Sequence, residues 1–515
     1  MYPALQNIAI PGASNSAGLI ISEISTCRTE IATREGYMEK RHNTGTVNVG
    51  VDASTWFYAA QGAFSSAHRR NAHAQVGANP ELRCLVYRLA WLSRSGVNAV
   101  FVFDGPNRPK MKRGKAVRAM PHWLTEAFQD FISAYGFYSY TAPGEAEAEL
   151  AFLNGAGYVD MVMTSDSDIL VFGGSVVLRS VTNKQVQKKA DEVELYTING
   201  DGNTFSQADF VFIAILSGGD YNPGGAQGCG SVAAKAIARH HPQLAQDLFR
   251  AGKFLKGSAL TEELCNWRER LHDILKYDPR GLIQRKYPAA ANALPAVFPD
   301  PKILKLYCNP ITSQQQGGPG VQADDWLVPR LPNNARLSVL LKMHFGWRDN
   351  ILRSLQRHVW DGLFIRQLIQ KKSIDITTLP IEAVQKVGRK NPSRSAPPSF
   401  LVKFSTISLI QEASDAVITA ANPTPLAQHN SDSILMTSVW IPEPIVRFAA
   451  AQAISAFFAK RPTPRIREYH GSAKPARVMG MGIHGYGCGS DLATHQPIKT
   501  RAKKEIDYRH HWDLT

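Results

Sequence analysis

Residues 47–52 read VNVGVD, a short run of β-branched apolar residues that ends on an aspartate. Two later runs have the same form, AVFVFD at residues 99–104 and VDMVMTSD at residues 159–166. Runs of this kind predict buried strands. Segments with helical periodicity lie between them, at residues 81–93, 123–135 and 145–154. Strands that alternate with helices predict an α/β fold with a twisted, mainly parallel sheet flanked by helices.

The chain as a whole is basic. It has 515 residues and a formal net charge of +15, which favours a polyanionic partner, either nucleic acid or an acidic membrane surface. The strongest apolar run, residues 210–216, is much shorter than the roughly 20 residues that cross a bilayer. We therefore expect no membrane-spanning segment. The six cysteines form no CxxC pair, which argues against a zinc site and for a reducing compartment.

Changes in composition predict several regions along the chain. A helical extension is expected after the α/β core, then a linker rich in Lys, Arg, Ser and Pro, and then a small β-rich module with strands at residues 400–410 and 434–441. The polar C-terminal stretch is expected to be disordered. The predicted regions are an atypical N-terminal segment (1–46), the core (47–240), the extension (241–370), the linker (371–398), the module (399–460) and a basic tail (461–515).

Three aspartates, Asp52, Asp104 and Asp166, stand at the carboxyl ends of the three predicted strands. In parallel α/β sheets this edge is where ligands bind. Asp168 lies two residues beyond Asp166, so on an extended segment both side chains can face the same ligand.

A second acidic cluster, PGEAEAE, begins the helix predicted at residues 145–154. On a regular helix, Glu145 and Glu147 would diverge by roughly 200°. They converge only if Glu145 precedes the helix, which the preceding Pro143-Gly144 pair favours.

Each acid has an ordinary structural explanation as well. An aspartate at a strand end is commonly a turn or N-cap residue, and acids in a first helical turn commonly complement the helix dipole. The set is harder to explain in this way, because carboxylates aimed at one edge repel each other unless cations lie between them. All-oxygen ligation favours Mg²⁺ or Mn²⁺, and two such ions can hydrolyse a phosphodiester.

Five motifs in order resemble those of the structure-specific 5′ nuclease family, which includes flap endonucleases, the xeroderma pigmentosum group G nuclease and eukaryotic Holliday junction resolvases. They are GVDASTWFY, FVFDGPNRPKMKRGK, APGEAEAEL, TSDSDILVFGG and LSGGDYNPGGAQGCGSVAAKAI. The resemblance implies a PIN-like nuclease core and two Mg²⁺ ions, for which Mn²⁺ can substitute. It also implies that the catalytic, metal-binding acids are Asp52, Asp104, Glu145, Glu147, Asp166, Asp168 and Asp220. Glu149 falls outside the family pattern and is expected to be an exposed helix residue.

The resemblance also implies two DNA-binding elements. A basic run after Asp104 is expected to form an arch near the active site, and its predicted DNA contacts are Lys112, Arg113, Lys115 and Arg118. A helix-turn-helix element is expected at Gly228, Gly230, Ser231 and Lys235, where backbone amides approach phosphate and a K⁺ ion can bind. The structural alternatives are that the basic run is a solvated charged surface and that the glycine-containing segment is an ordinary turn into a helix.

The favoured interpretation is a nuclear, Mg²⁺-dependent endonuclease that acts on branched DNA. The 40 residues between Asp104 and Glu145 are few for an arch that threads a free 5′ end, so a Holliday junction resolvase is favoured. The C-terminal module also resembles the chromodomain-like element of fungal resolvases. We expect a monomer in solution, a dimer on a junction and no membrane association. The alternatives are a 5′-flap or excision-repair endonuclease and, because the N-terminus lacks the family's opening, a catalytically impaired junction-binding protein.

Overall fold

A computed structural model describes residues 22–39, 42, 44–69, 78–117, 120–180, 192–198, 205–279, 281, 283, 285–320, 322–347, 351–370, 381–388, 397–419 and 434–460. The predicted tail at 461–515 lies outside this part of the chain, as do residues 1–21 of the predicted N-terminal segment. None of the helices within the described ranges is long and apolar enough to cross a membrane.

A seven-stranded sheet with the order β1-β9-β8-β7-β2-β3-β6 forms the centre of the fold. Strands β6, β3, β2, β7 and β8 run parallel, while β9 and β1 pair antiparallel at one edge. The predicted α/β fold with a mainly parallel sheet is therefore confirmed. The strands are β1 (Ser22–Cys27), β2 (Asn48–Asp52), β3 (Asn98–Phe103), β6 (Tyr138–Thr141), β7 (Met161–Met163), β8 (Val176–Ser180) and β9 (Glu192–Thr197), with a separate two-stranded hairpin of β4 (Met111–Lys112) and β5 (Lys115–Ala116).

Helices cover both faces of the sheet because alternate strand residues point to opposite sides. Val49 and Val51 of β2 lie in one hydrophobic cluster, whereas Val100 and Val102 of β3 lie in the other. Gly50 permits a close approach, since a Cβ there would lie 2.6 Å from Cδ2 of Leu150. The helices are α1 (Arg28–Ile31), α2 (Ala53–Arg69), α3 (Pro80–Arg94), α4 (Thr125–Ala134), α5 (Ala146–Gly155), α6 (Asp168–Val171), α7 (Gln207–Ser217) and α8 (Ser231–His240), and a π-helix (Ala32–Met38) follows α1.

The predicted extension is helical. Its members pack against α7 and α8 on one side and against α3 and α4 on the other. They are α9 (Pro242–Phe254), α10 (Gly257–Tyr277), α11 (Pro288–Asn292), α12 (Pro301–Cys308), α13 (Gln322–Asp325), α14 (Asn334–Phe345), α15 (Ile351–Leu355) and α16 (Asp361–Gln370), with a 3₁₀ turn (Ser313–Gln316) before α13 and a π-helix (Gln356–Trp360) before α16.

The C-terminal module is a three-stranded antiparallel sheet with helices. Its elements are β10 (Ile381–Val387), β11 (Ser399–Ser405), α17 (Ile407–Thr419), β12 (Met436–Pro442), α18 (Glu443–Ala449) and α19 (Ala451–Ala459). Two expectations differ from this structure. Strand β10 lies inside the predicted linker at 371–398. The strand expected at 400–410 ends at Ser405, and a helix, α17, begins at Ile407.

The module shares its core with the rest of the fold. Phe404 of β11 stacks on Phe364 of α16, with ring centroids 4.2 Å apart and planes 13° from parallel. Asn334 at the start of α14 donates from Nδ2 to the Leu409 carbonyl over 2.7 Å. The buried side chain of Arg366 on α16 donates to the carbonyls of Val97 and Arg330, each over 2.7 Å. Helix α16 therefore joins the module to the central sheet.

Candidate active site

The site begins at the carboxyl ends of β2 and β3. Asp52 is the last residue of β2 and is fully buried. Its carboxylate accepts from the backbone N–H of Ser54 over 2.9 Å and from Oγ1 of Thr164 over 3.1 Å. Asp104 follows β3 and accepts from Oγ of Ser54 over 3.1 Å. Ser54, the second residue of α2, thus bridges the two aspartates.

Asp166 and Asp168 lie in the turn after β7. Oγ1 of Thr164 accepts the Asp166 backbone N–H over 3.0 Å, and Oδ1 of Asp166 accepts the Asp168 backbone N–H over 3.1 Å. Asp168 is the first residue of α6 and is buried. Because Thr164 contacts both Asp52 and Asp166, this turn is fixed against the end of β2.

Glu145 and Glu147 reach the same region from the start of α5. Glu145 is the N-cap of α5 and has extended backbone angles, φ −79° and ψ 140°. It therefore precedes the helix, which is the condition under which its side chain converges with that of Glu147. The Ala146 backbone N–H donates to Asp104 over 3.0 Å, so the start of α5 is held beside the end of β3.

Asp220 approaches from the loop after α7 and is bound by the hairpin β4–β5. Arg113 donates to its two carboxylate oxygens over 2.6 and 3.0 Å, and the Arg113 backbone N–H donates to the Asp220 carbonyl over 2.6 Å. The Lys112 ammonium lies 2.7 Å from Glu145, 3.2 Å from Asp220 and 4.0 Å from Glu147. The seven predicted acids are therefore brought together, with two cations of the hairpin among them.

Burial and crowding of like charge shift several pKa values upward. Burial, with the charges of Asp104 and Asp166, raises the pKa of Asp52 to about 7. Burial, with the charges of Asp166 and Asp220, raises the pKa of Asp168 to about 8. Burial also raises the pKa of Glu147 well above its usual range, although the Lys112 ammonium opposes the change.

Asp220 behaves differently because the hairpin neutralises it. Burial would raise the pKa of this carboxyl, but hydrogen bonds from Arg113 and the charge of Lys112 outweigh burial and lower it. Asp220 is thus neutralised by the protein's own cations, whereas burial opposes the ionisation of Asp52, Glu147 and Asp168.

The donor set fits hard divalent cations. Every candidate ligand is a carboxylate oxygen, which Mg²⁺ and Mn²⁺ prefer and zinc sites do not. Within the described ranges, no three His, Cys, Asp or Glu side chains are arranged as a ready ion site. Three of the carboxylates, Glu145, Glu147 and Asp220, contact the Lys112 ammonium, which is itself a cation among negative charges.

Comparisons with known proteins show what the chain is similar to. A family model described as the XPG I-region matches residues 136–220, which contain five of the seven acids. The human protein named flap endonuclease GEN homolog 1 is 27% identical over 250 residues, covering 44% of this chain and 25% of that protein. DNA repair protein rad13 of Schizosaccharomyces pombe is 28% identical over 251 residues, covering 48% of this chain and 20% of that protein. The chain is therefore similar to XPG-type nucleases, and the family model covers residues 136–220 of it.

Solved structures show the same fold. A structure described as the eukaryotic junction-resolving enzyme GEN-1 binding with cesium superposes with a TM-score of 0.65 at 23% identity, covering 85% of this chain and 97% of that one. A structure described as the Holliday junction-resolving enzyme GEN1 in complex with product DNA and Mg²⁺ gives a TM-score of 0.64 at 23% identity, covering 85% and 96%. The chain spans about a quarter or less of the length of the two curated relatives named above.

Glu149 corrects one expectation. The sequence predicts an exposed helix residue, but its side chain is fully buried. Its carboxylate accepts from the Ser313 backbone N–H over 2.8 Å and from the Ser313 hydroxyl. Glu149 therefore holds the 3₁₀ turn of the extension against α5, because these hydrogen bonds join it to Ser313.

The predicted DNA-binding residues fall into three groups. Lys112 and Arg113 pair with the carboxylates, while Lys115 at the start of β5 is exposed and Arg118 lies outside the described residues. Gly228 has a left-handed φ of 79°, which suits glycine at the turn before α8. Gly230 is the N-cap of α8, Ser231 is its first residue, and Lys235 is half-buried in it.

Sequence reasoning missed the residues that orient the acids. Ser54 and Thr164 bridge pairs of aspartates, Arg108 forms an ion pair with Asp104 over 3.0 Å, and the Tyr221 hydroxyl donates to Glu145. Ser54 and Thr164 lie within two residues of an acid in the sequence, which was an available signal. No local pattern indicates the Tyr221 contact, because its partner is 76 positions away.

Proposed function

We propose that this protein is a metal-dependent, structure-specific endonuclease that hydrolyses phosphodiesters in branched DNA and prefers four-way junctions. The observation that carries the proposal is the convergence of seven carboxylates at one edge of the sheet, four of which contact the two hairpin cations Lys112 and Arg113. So many acids in one place cost free energy unless positive charge is supplied. A role that requires divalent cations explains why they are all present.

The proposed ligands of two Mg²⁺ ions are Asp52, Asp104, Glu145, Glu147, Asp166, Asp168 and Asp220, and Mn²⁺ would substitute. When bound, such ions activate a water molecule and stabilise the leaving oxygen of a phosphodiester. The protein's part is to hold the carboxylates in place through Ser54 and Thr164 and to exclude water from the buried side of the cluster. The structure described as a complex with product DNA and Mg²⁺ has the same fold and supports this assignment.

The hairpin supplies the proposed contacts to the scissile phosphate. Lys112 and Arg113 neutralise the carboxylates in this structure, so divalent ions that take over that role would free both side chains for phosphate oxygens. Lys110 and Lys115 are exposed on the same hairpin and would hold the flanking backbone. At α8, the N-terminal amides after Gly230 would bind a more distant phosphate, with a K⁺ ion as a further proposed ligand.

The short segment between Asp104 and Glu145 supports a junction over a flap. Between Asp104 and α4, the described residues 105–117 and 120–124 contain the hairpin β4–β5 and no helix, while the rest of the segment forms α4 and β6 of the core. A hairpin of this size leaves duplex arms free to approach and does not enclose a single strand. We therefore propose that the protein acts on junctions in the nucleus. Two molecules would bind one junction, and each would cut one of two opposed strands.

The deciding experiment compares substrates that differ only in branching. The purified chain is incubated in Mg²⁺ with labelled four-way junctions, 5′ flaps and splayed arms, and parallel reactions contain EDTA. We expect symmetric junction cleavage that EDTA abolishes and that zinc does not restore. An absolute need for a free 5′ end would move the function to the flap-endonuclease class. Tight junction binding without cleavage in Mg²⁺ or Mn²⁺ would identify an impaired, binding-only protein.

A further inference from the structure

Tyr221 follows Asp220 directly, and its hydroxyl donates to Oε2 of Glu145. The other oxygen of the same carboxylate, Oε1, lies 2.7 Å from the Lys112 ammonium. The two oxygens of Glu145 therefore have separate partners, a neutral donor on one side and a cation on the other. Because Glu145 precedes α5 in an extended conformation, the helix does not orient its side chain, and the tyrosine hydroxyl does.

Tyr221 is in turn held by Tyr307 of helix α12. The Tyr307 oxygen accepts the Tyr221 backbone N–H over 3.4 Å, and the two rings have centroids 4.7 Å apart. Tyr307 is almost completely buried, at 1% exposure. Gly219 makes this approach possible, since a Cβ at that position would clash with the Tyr307 hydroxyl. The loop that carries Asp220 is thus packed against a side chain of the extension.

Helix α12 is itself fixed in place. Leu304 and Cys308 are buried on the same side as Tyr307 and pack against α9, where a Cβ on Gly252 would lie 2.6 Å from Sγ of Cys308. Asn309, just after α12, donates from Nδ2 to the Gly252 carbonyl over 2.8 Å. A rigid chain of contacts therefore runs from α9 through α12 and the two tyrosines to Glu145.

We propose that Tyr221 and Tyr307 are positioning residues, through which helix α12 orients Glu145 and the Asp220 loop for divalent cations. Tyr221 occupies one oxygen of Glu145 so that the other faces the cation position held here by Lys112. Tyr307 acts one step further out, by fixing the backbone of Tyr221. The inference deepens the proposed function and rests on it, since it presumes that these carboxylates bind metal.

The test measures metal binding without DNA and without cleavage. Mn²⁺ is titrated into the purified full chain and free Mn²⁺ is followed by electron paramagnetic resonance. Tyr221→Phe removes only the hydroxyl, and we expect a loss of Mn²⁺ affinity of about 10-fold, the lower end of the range for groups that orient metal ligands. Tyr307→Phe should give a smaller loss in the same direction. Tyr277→Phe, an exposed tyrosine on α10, is the matched control and should bind as the wild type does.

A second measurement separates positioning from general stability. If cleavage is assayed, Tyr221→Phe should raise the Mg²⁺ concentration for half-maximal rate by the same factor, while the rate at saturating Mg²⁺ stays within about threefold of the wild type. Equal Mn²⁺ affinity of Tyr221→Phe and wild type would overturn the inference while leaving the proposed function in place. Absence of Mn²⁺ binding to the wild type, both alone and with a junction bound, would overturn both. A lower melting temperature with unchanged metal affinity would reduce the tyrosines to a structural role.

Discussion

Single substitutions at Asp166 and Glu145 can separate DNA cleavage from junction binding. Asp166→Asn and Glu145→Gln each remove a negative charge from the cluster and leave the hairpin and α8 unchanged. We expect single-turnover cleavage to fall by more than about 100-fold, because these carboxylates are proposed direct ligands and even the groups that orient ligands cost 10 to 100-fold. Junction affinity in Ca²⁺ should stay the same or rise, since repulsion of phosphate decreases. Asp273→Asn on α10 is the exposed control.

Glu149 has a structural role that can be tested against the neighbouring acids. Glu149→Ala leaves the buried Ser313 N–H and hydroxyl without their acceptor, which should lower the free energy of unfolding by about 1 to 3 kcal/mol. Chemical denaturation measures this change. Glu262→Ala, on the exposed face of α10, should alter stability by less than about 0.5 kcal/mol. If Glu149→Ala abolished Mn²⁺ binding in a folded protein, Glu149 would belong to the metal site.

The raised pKa values of Asp52 and Asp168 predict how stability depends on pH without metal. Both groups hold protons in the folded state, to about pH 7 and about pH 8, that the unfolded chain releases near pH 4. Stability should therefore decrease as pH rises from about 4 to about 8. Divalent cations replace those protons, so Mg²⁺ should raise the melting temperature more at about pH 8.5 than at about pH 6. Thermal melts of the wild type and of Asp168→Asn over this pH range check the prediction. The melting temperature of Asp168→Asn should depend less on pH than that of the wild type.

The sequence indicates the acids but not the groups that hold them. Asp52, Asp104 and Asp166 are predictable because a parallel sheet carries the ends of its strands to one edge. Asp220 is predictable only from the family resemblance, since a turn after a helix has no such rule. The expectation for Glu149 is wrong because its partner, Ser313, is 164 positions away and no local pattern connects them.

At the scale of elements, the hairpin β4–β5 gives a prediction about binding. If Lys112 and Arg113 neutralise phosphates in the complex, replacing both with alanine should make the log–log salt dependence of junction affinity shallower by about 0.9 for each phosphate that is no longer neutralised. No sequence preference should appear. Lys386→Ala, on the exposed strand β10, is the control. An unchanged slope would mean that the hairpin cations serve the carboxylates only.

The strands of the core can be predicted from the periodicity of apolar residues, whereas the elements of the C-terminal module are harder to predict because their sequences are less regular. The three predicted strands appear as β2, β3 and β7 with boundaries shifted by a few residues. The sequence does not predict strand β10, because two irregularities in its pairing with β11 break the alternation of its apolar residues and only Val384 is buried. Helix α17 begins at Ile407 in a run of β-branched residues that favours a strand, but Asn334 binds the Leu409 carbonyl and the helix packs on α14.

For the whole molecule, the shared core predicts that the module cannot be removed without loss of stability. Phe404→Ala would empty a buried ring site against Phe364 and should cost about 3 to 5 kcal/mol. Phe448→Ala, at a ring that is 56% exposed, is the matched control. Thermal unfolding should show one transition that shifts as a unit. A separate low-temperature transition in Phe404→Ala would show that the module folds independently.

The ion pairs of Lys112 and Arg113 also have a thermodynamic consequence. The folded chain carries its own counter-ions, so incoming Mg²⁺ must compete with them and the metal affinity of the protein alone is reduced. Phosphate that draws the hairpin away removes the competitor. By linkage, DNA should then raise the affinity for Mg²⁺ by the same factor as Mg²⁺ raises the affinity for DNA. Such reciprocity would couple metal binding to junction binding in the proposed activity.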